Sequence, residues 1–223
     1  MISIKNLYLS FTKEFDALHN VNLEISEGEK VALVGETDSG KTMLLRVIAK
    51  LEKIKSGEVY IKNINLKKLN FKEDIQVGFV PKSFVFLNNK TVRENLEYML
   101  KMRNYDSATM NLKILMALRN FDIESIQNLK IKDLSAYQKT LVQLARISLR
   151  KIELYLIDDI CSGLDKNEVQ NILQKLKELI EQNTASTFLF AFTNEEYANW
   201  LGLKIIRLKD GAIVENEADK TEA

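Results

Sequence analysis

Eight residues, Gly35 to Thr42, read GETDSGKT and follow a short apolar run, VALV. They match the pattern G-x-x-x-x-G-K-[ST], in which a glycine-containing loop joins a buried strand to a helix. Successive backbone N–H groups of such a loop curve around phosphate oxygens, and the positive end of the following helix adds to the attraction. The sequence therefore predicts a strand, a phosphate-binding loop and a helix, in that order.

The predicted loop gives a role to each of its side chains. We expect the ammonium group of Lys41 to reach the β- and γ-phosphates of a nucleotide, and the hydroxyl of Thr42 to ligate Mg²⁺. Gly35 and Gly40 permit backbone turns that a Cβ atom would obstruct. The expected nucleotide-binding residues of this loop are Gly35, Glu36, Thr37, Asp38, Ser39, Gly40, Lys41 and Thr42.

Asp38 places an acid in the middle of a loop that holds anions. The donors of the loop are backbone groups, so the side chain of Asp38 can point away from the phosphates. Its negative charge still repels the phosphate oxygens. We therefore expect Asp38 to lower the affinity for nucleotide unless a lysine or Mg²⁺ screens it.

A second apolar run, YLI, ends in two acids, Asp158 and Asp159. A phosphate-binding loop needs a carboxylate at the end of a neighbouring strand to hold the Mg²⁺ shell, and Asp158 is the candidate. Asp159 is placed to orient or deprotonate a water molecule. Two acids that only cap the next turn are the alternative interpretation, which the presence of the loop in the same chain disfavours.

Strand and helix patterns alternate after Gly35, which predicts an α/β sheet. The predicted strands cover 2–9, 17–25, 30–34, 58–66, 75–80, 152–159 and 187–192, and a hairpin with an Asp-Gly turn covers 203–215. The predicted helices cover 42–51, the region 91–119, 135–150 with Ser135 as N-cap, 168–181 and 195–200. The predicted fold class is α/β: a P-loop NTPase core with an N-terminal antiparallel β-subdomain and an inserted α-helical subdomain at about 91–150. We expect one domain over 1–215 and a disordered tail at 216–223.

The composition disfavours several other classes of protein. The chain has 223 residues and a net charge of +1, without a long basic tract, so no nucleic-acid partner is expected. The single cysteine, Cys161, permits no internal disulfide, and the single histidine, His19, excludes a histidine-rich metal site. The first residues lack the apolar core of a signal peptide, and no apolar run approaches the roughly 20 residues that span a bilayer. We expect a cytosolic protein.

Further segments resemble, in order, the motifs of the ATP-binding subunit of ABC (ATP-binding cassette) transporters. The loop resembles the Walker A motif of that family, and the resemblance covers nearly the whole chain. The other matching segments are SF at 10–11, GFVPK at 78–82, TVRENL at 91–96, LSAYQ at 134–138, YLIDD at 155–159, SGLD at 162–165 and FAFTN at 190–194. They are similar to the adenine-stacking segment, the glutamine loop, the start of the helical subdomain, the LSGGQ signature, Walker B, the D-loop and the strand before the switch histidine.

This resemblance implies ATP and Mg²⁺ as cofactors, with Phe11 stacking on adenine. It implies that two such subunits, in a homodimer or a heterodimer, sandwich two ATP molecules, so that Ser135 contacts the nucleotide of the opposite subunit. It also implies a transmembrane transporter subunit as partner, and a location on the inner face of the cell membrane through that partner. The apolar run at 84–87, FVFL, is either part of the surface for this partner or a local core segment.

The chain departs from the family pattern around the terminal phosphate. The replaced positions are Asp38 for glycine, Lys82 for glutamine, Ala136 and Tyr137 for the two signature glycines, Asp159 for glutamate and Asn194 for histidine. Lysine has only donors and cannot ligate the metal, although it can contact a phosphate. Asp159 is one methylene short of the usual base, and Asn194 cannot become cationic. Lys82, Asp159 and Asn194 are thus candidate catalytic residues in altered form.

The sequence therefore predicts a subunit that binds Mg-ATP and drives or gates a transmembrane partner, with weak or absent hydrolysis. Because both the Walker side and the signature side are altered, a pair with one silent and one fully active site is not expected. Either hydrolysis is slow at both sites, or other residues replace the usual ones. The alternative function is a non-catalytic, nucleotide-gated regulatory or scaffold protein at a membrane complex.

Overall fold

The computed structural model describes residues 1–10, 16–101 and 105–214, and only the backbone of Asp16. The chain forms two compact units. The first consists of Met1–Phe79, Ile152–Asp159 and Asn183–Ala223, and the second consists of Val80–Lys151 and Ile160–Gln182. The predicted helical region of about 91–150 lies within the second unit, and the predicted extent of a single domain stays a prediction. The expected tail, 216–223, lies outside the described residues.

The described strands and helices follow the predicted order. The strands are β1 Ile2–Ser10, β2 Asp16–Ile25, β3 Lys30–Val34, β4 Ser56–Ile61, β5 Ile64–Asn65, β6 Val77–Val80, β7 Leu154–Asp158, β8 Thr187–Phe192, β9 Lys204–Lys209 and β10 Ala212–Val214. The α-helices are α1 Lys41–Ile48, α2 Val92–Lys101, α3 Ser107–Asn120, α4 Ala136–Ser148, α5 Lys166–Gln182 and α6 Glu195–Trp200. Two short 3₁₀ helices cover Glu124–Ile126 and Ile131–Asp133.

A six-stranded sheet in the order β10-β9-β3-β8-β7-β6 carries the phosphate-binding loop. Its central strands β3, β7 and β8 pair in parallel, and every residue of β7 and β8 is buried. A strand buried on both faces reads as a continuous apolar run, which is why VALV and TFLFAF could be recognised in the sequence. Because the strands are parallel, the ends of β3, β7 and β8 lie at one edge of the sheet, where the motif residues follow.

A second, antiparallel sheet in the order β2-β1-β4-β5 completes the first unit. Its apolar side chains share one core with those of α1 and of the larger sheet. The prediction of one strand over 58–66 is wrong, because the chain turns at Lys62 and Asn63, whose φ angles are 50° and 63°. Two consecutive left-handed residues form the tight turn that joins hairpin strands.

The second unit contains α2 to α5, and its α4 contacts α2, α3 and α5. The helical region predicted at 91–119 consists of two helices, α2 and α3, separated by residues that include the undescribed 102–104. The predicted N-cap of α4 is confirmed: Ser135 Oγ accepts from Gln138 N at 3.1 Å, and Gln138 Oε1 accepts from Ser135 N at 3.0 Å. In the described part of the chain, no helix is long and apolar enough to cross a membrane.

Candidate nucleotide site

The loop between β3 and α1 needs glycine at both of its glycine positions. A Cβ atom on Gly35 would lie 2.1 Å from Leu208 O, which no side chain tolerates. Gly40 has φ 101°, and a Cβ there would lie 2.9 Å from Ala17 O. The neighbouring backbone therefore leaves no room for a side chain at either position, which fixes the path of the loop.

The ammonium group of Lys41 lies inside this curve. Lys41 is only 6% exposed, and its Nζ donates to Gly35 O at 2.7 Å, to Glu36 O at 2.6 Å and to Ser39 Oγ at 3.0 Å. A buried ammonium group needs such acceptors, since an uncompensated charge away from water is costly. The predicted phosphate-binding lysine is thus held at the centre of the loop by the loop itself.

Asp38 has φ 64° and is exposed, as are Glu36 and Thr37, whereas Ser39 is buried. Left-handed backbone is easiest for glycine, and aspartate and asparagine adopt it more readily than other residues. The aspartate therefore keeps the backbone path that glycine would take, and it adds a carboxylate on the exposed side of the loop. The left-handed backbone at Asp38 is therefore compatible with phosphate binding by the loop.

The predicted metal-binding pair is assembled at the carboxyl end of β7. Thr42 Oγ1 donates to Asp158 Oδ1 at 2.9 Å, and Asp158 is 1% exposed. Mg²⁺ usually takes one or two protein oxygens and completes its shell with water and substrate phosphates. Among the described residues, no cluster of three or more His, Cys, Asp or Glu side chains could hold a metal ion. A hydroxyl and one carboxylate beside a phosphate loop therefore fit Mg²⁺ that arrives with a nucleotide.

Asp159, the next residue, is 7% exposed and has φ 38°. Its backbone N donates to Ala191 O at 2.9 Å, and its Oδ2 accepts from Thr193 Oγ1 at 3.2 Å. Asn194 is exposed and caps α6, with its Oδ1 accepting from Glu196 N at 2.9 Å. The hydrogen bond from Thr193 to Asp159 was not predicted from the sequence, where Thr193 is marked only by following a predicted strand.

The remaining predicted site residues lie in the second unit, except for Phe11, which is outside the described residues. Lys82 and Ser135 are exposed there. Ala136 begins α4, and the half-buried Tyr137 follows it. Burial raises the pKa of the Tyr137 phenol, and the negative charges of Glu168 and Asp122 raise it further. The loop, Asp158, Asp159 and Asn194 thus belong to the first unit, where a hydrogen bond joins Thr42 to Asp158, and Lys82 and Ser135 belong to the second unit.

The run at 84–87 is a surface of the second unit, which we call the Phe84–Leu87 segment. Its backbone is fixed by Asn95, which is 3% exposed and whose amide accepts from Leu87 N at 3.0 Å and donates to Leu87 O at 3.2 Å. The Arg146 guanidinium lies 5.0 Å from the centre of the Phe86 ring. The interpretation as a core segment is wrong for three of its side chains, which are 40%, 63% and 44% exposed at Phe84, Val85 and Leu87.

Comparison with known proteins decides the family. The model of the ABC transporter family matches residues 18–162, which include the phosphate loop, the signature segment and both acids. The chain belongs to the ABC transporter family. The family predicted from the motif order is therefore confirmed, and so is the predicted fold class.

Curated relatives within the family include import proteins. The chain is 30% identical to the sn-glycerol-3-phosphate import ATP-binding protein UgpC of Bartonella bacilliformis, covering 95% of this chain and 61% of UgpC. It is 30% identical to the probable sulfate/thiosulfate import ATP-binding protein CysA of Chlorella vulgaris, covering 96% of this chain and 89% of CysA. The chain spans about three fifths of the length of UgpC and slightly less, 56%, of another relative, the osmoprotective compounds uptake protein GgtA of Synechocystis.

Solved ABC cassettes have the same fold. The ATP-binding cassette MJ0796, solved as a dimer in a post-hydrolysis state bound to ADP and Pi, is 31% identical to this chain with a TM-score of 0.85. That similarity covers 97% of this chain and 98% of MJ0796. The CbiO1 protein of Clostridium perfringens, at 19% identity and a TM-score of 0.82, has the same fold.

Proposed function

We propose that this protein is the ATP-binding subunit of an ABC-type membrane importer, and that it binds Mg-ATP well but hydrolyses it slowly or not at all. The observation that carries the proposal is the pairing of Thr42 with the buried Asp158 beside a loop whose curve encloses Lys41. These groups are the ones that a Mg²⁺-bound triphosphate needs. The proposal of import rests on the names of the curated relatives.

Binding uses the groups of the first unit. The backbone N–H groups between Gly35 and Thr42 surround the phosphates, and Lys41 exchanges its loop carbonyl partners for phosphate oxygens. Thr42 and Asp158 hold the metal shell. When bound, Mg²⁺ neutralises charge on the phosphates and polarises the terminal one. All of these groups contribute to affinity and orientation. Among the residues that depart from the family pattern, only Asp38 belongs to this binding part of the site.

Slow hydrolysis follows from what the altered side chains can do. Asp159 is shorter than the family's glutamate and is buried, so its carboxylate is poorly placed to hold a water molecule in line with the terminal phosphate. The oxygen of Asn194 already accepts a hydrogen bond at the start of α6, and its amide never becomes cationic. Lys82 supplies a positive charge where the family supplies a metal ligand.

We further propose that the protein works with a second ATP-binding subunit and with a transmembrane subunit, which holds it at the inner face of the membrane. The Phe84–Leu87 segment supports the second part, because it presents large apolar side chains to solvent on a backbone that Asn95 fixes. Exposed apolar clusters of this kind mark protein-interaction sites. Tyr137 replaces a signature glycine, so we expect the ATP-dependent dimer to be weaker than one between subunits with intact signatures.

Equilibrium titration of the purified protein with a fluorescent ATP analogue, with Mg²⁺ and with EDTA, tests the proposal. We expect saturable binding that requires Mg²⁺, and a loss of about 10- to 100-fold in affinity for K41M, since a hydrogen bond to a charged group contributes about 1.5–3 kcal/mol. Lys5 is exposed in β1, a strand of the other sheet, so K5M is the matched control and should bind like the wild type. Absence of binding at millimolar Mg-ATP would overturn the proposal.

A further inference from the structure

The hairpin of β9 and β10 ends in a two-residue turn, Asp210 and Gly211, since Lys209 pairs with Ala212. The φ angles of the two turn residues are 46° and 78°, the left-handed pair that is typical of a type I′ turn. Asp210 is exposed, whereas Gly211 is buried. Turns usually lie at the surface, where water can bond their backbone groups. The buried half of this turn must therefore find its hydrogen-bond partners in the protein.

Gly211 contacts the phosphate-binding loop. Its backbone N donates to Ser39 O at 3.1 Å. A Cβ atom on Gly40 would lie 3.3 Å from Gly211 Cα, and a Cβ atom on Gly35 would lie 2.1 Å from Leu208 O of the same hairpin. The hairpin thus lies against the loop at both of its glycines and is hydrogen-bonded to a residue between them.

Strand β2 holds the other side of the turn. His19 N donates to Gly211 O at 3.0 Å, so both backbone polar groups of Gly211 are hydrogen-bonded. Ala17 O would lie 2.8 Å from a Cβ atom on Gly211 and 2.9 Å from a Cβ atom on Gly40. The turn therefore fills the space between β2 and the loop, and any side chain at position 211 would force the backbone to shift.

Ser39 connects this turn to the ammonium group of Lys41. Ser39 is 4% exposed, and its O accepts from Gly211 N while its Oγ accepts from Lys41 Nζ at 3.0 Å. The backbone N of Ser39 donates to Glu36 O, within the loop, at 3.2 Å. A displacement of Ser39 would therefore change both the path of the loop backbone and the acceptors around Lys41.

We propose that Gly211 is a positioning residue for ATP binding, which acts through Ser39 and Gly40 by holding the phosphate-binding loop in its curved conformation before the nucleotide arrives. The inference rests on the proposed function, because it concerns the same loop. A loop that is already ordered loses less conformational entropy on binding, which raises the affinity. The hydrogen bond from the turn ends on a carbonyl group of the loop, so it occupies no N–H group that the phosphates need.

Titration of purified variants with a fluorescent ATP analogue in Mg²⁺ tests this role. G211A puts a Cβ atom 2.8 Å from Ala17 O, so the turn has to shift. Gly202 is the matched control, because its φ is 66° and a Cβ atom there would meet only open space among the described residues. Both variants place alanine in left-handed backbone and so carry similar strain. We expect a Kd about 3- to 10-fold higher for G211A, the range for one lost hydrogen bond, and an unchanged Kd for G202A.

Amide hydrogen exchange, followed by NMR without nucleotide, tests the turn independently of ATP binding. In the wild type, the Gly211 amide should exchange slowly, because it donates to Ser39 O. The Ser39 amide should exchange about 3- to 10-fold faster in G211A than in G202A, since the turn no longer holds the loop. Amides of β8 should exchange alike in the two variants, whereas a general loss of stability would raise their rates together with that of Ser39.

Three results would overturn the proposal. They are a Kd for Mg-ATP that is the same in G211A and G202A, a rise in exchange in G211A by the same factor at Ser39 and in β8, and a wild-type Gly211 amide that exchanges as in an unstructured chain. The last measurement decides the question even where G211A does not fold. Failure of the wild type to bind Mg-ATP would contradict the proposed function instead, and the exchange rates without nucleotide would still show whether the turn orders the loop.

Discussion

Replacing Asp38 with asparagine should increase the affinity for Mg-ATP. Asparagine is nearly isosteric with aspartate, tolerates the observed φ of 64° and carries no charge. Asp38 is exposed, so the substitution leaves no buried polar group without a partner. Any change in affinity between the wild type and D38N therefore reports the charge alone.

The magnitude follows from Coulomb's law. A carboxylate on the loop and a phosphate charge about 6 Å away repel by about 0.7 kcal/mol in a solvent-like dielectric, and by about 1.4 kcal/mol if the effective dielectric is halved. These energies correspond to about a threefold to tenfold lower Kd for D38N. Alanine also removes the charge but adopts left-handed backbone at a cost of about 1–2 kcal/mol. Because this cost falls on the free and the bound protein alike, D38A should be less stable than the wild type, but its Kd should fall as that of D38N does.

The assay is a titration with a fluorescent ATP analogue at constant Mg²⁺, repeated at low and high salt. Because salt screens exposed charges, the difference between D38N and the wild type should shrink as the salt concentration rises. E36Q removes the neighbouring exposed charge of the loop and shows whether any acid there has the same effect. The electrostatic explanation is refuted if D38N binds no more tightly than the wild type at low salt, or if its gain in affinity is undiminished at high salt.

Three further predictions concern the metal, the start of α4 and the start of α2. T42V should bind ATP in Mg²⁺ no better than in EDTA, because it lacks the metal-binding hydroxyl, whereas T42S should retain the Mg²⁺ effect in the same titration. S135A removes the capping box of α4 and should lower the free energy of unfolding in urea by about 1 kcal/mol, while S135T should not. Hydrogen bonds from the Thr91 backbone and from Lys90 hold the pKa of Glu94 at about 2, below its ordinary value near 4.5. Since this folded-state pKa is depressed, the stabilisation is present above about pH 4.5 and is lost as the pH falls towards 2. The difference in thermal midpoint between the wild type and E94Q should therefore shrink over that range, and a constant difference would contradict the assignment.

The parts of the fold that could be predicted are those in which a short sequence pattern determines the structure of the same short segment. The phosphate loop combines glycine positions that the sheet backbone requires, a lysine and a hydroxyl within one short segment. The buried strands β7 and β8 read as continuous apolar runs because both of their faces are covered. The N-cap at Ser135 was recognisable because capping depends on neighbours three residues apart.

A change in the apolar pattern of the sequence marks the hairpin of β4 and β5. Apolar residues occupy odd positions at Val59 and Ile61 and even positions at Ile64 and Leu66. This change of parity places a two-residue break at Lys62 and Asn63, where the structure has its left-handed turn. Period-2 alternation predicts strand on both sides of such a break, so a single long strand was the simpler interpretation.

The contact between Thr193 and Asp159 could not be predicted from the sequence. The two residues are 34 positions apart, and their hydrogen bond depends on where the ends of two parallel strands meet. The same holds for the buried state of Asp159, since a terminal acid on a strand is more often solvated. The capping of α6 by Asn194 could likewise be seen only once the position of that helix was known. The resemblance to the family motifs marked the altered residues in the sequence, whereas their hydrogen-bond partners are visible only in the structure.

Binding and turnover of Mg-ATP, measured on one purified sample alone and with its transmembrane partner, test whether the protein binds ATP without hydrolysing it at a useful rate. We expect saturable, Mg²⁺-dependent binding together with phosphate release at least about 100-fold slower than the roughly 10 per second of a typical enzyme, because a well-placed general base contributes about 10²–10⁴-fold. D159E should raise the rate without a matching change in Kd. Turnover near roughly 10 per second by the wild type in either setting would contradict slow hydrolysis.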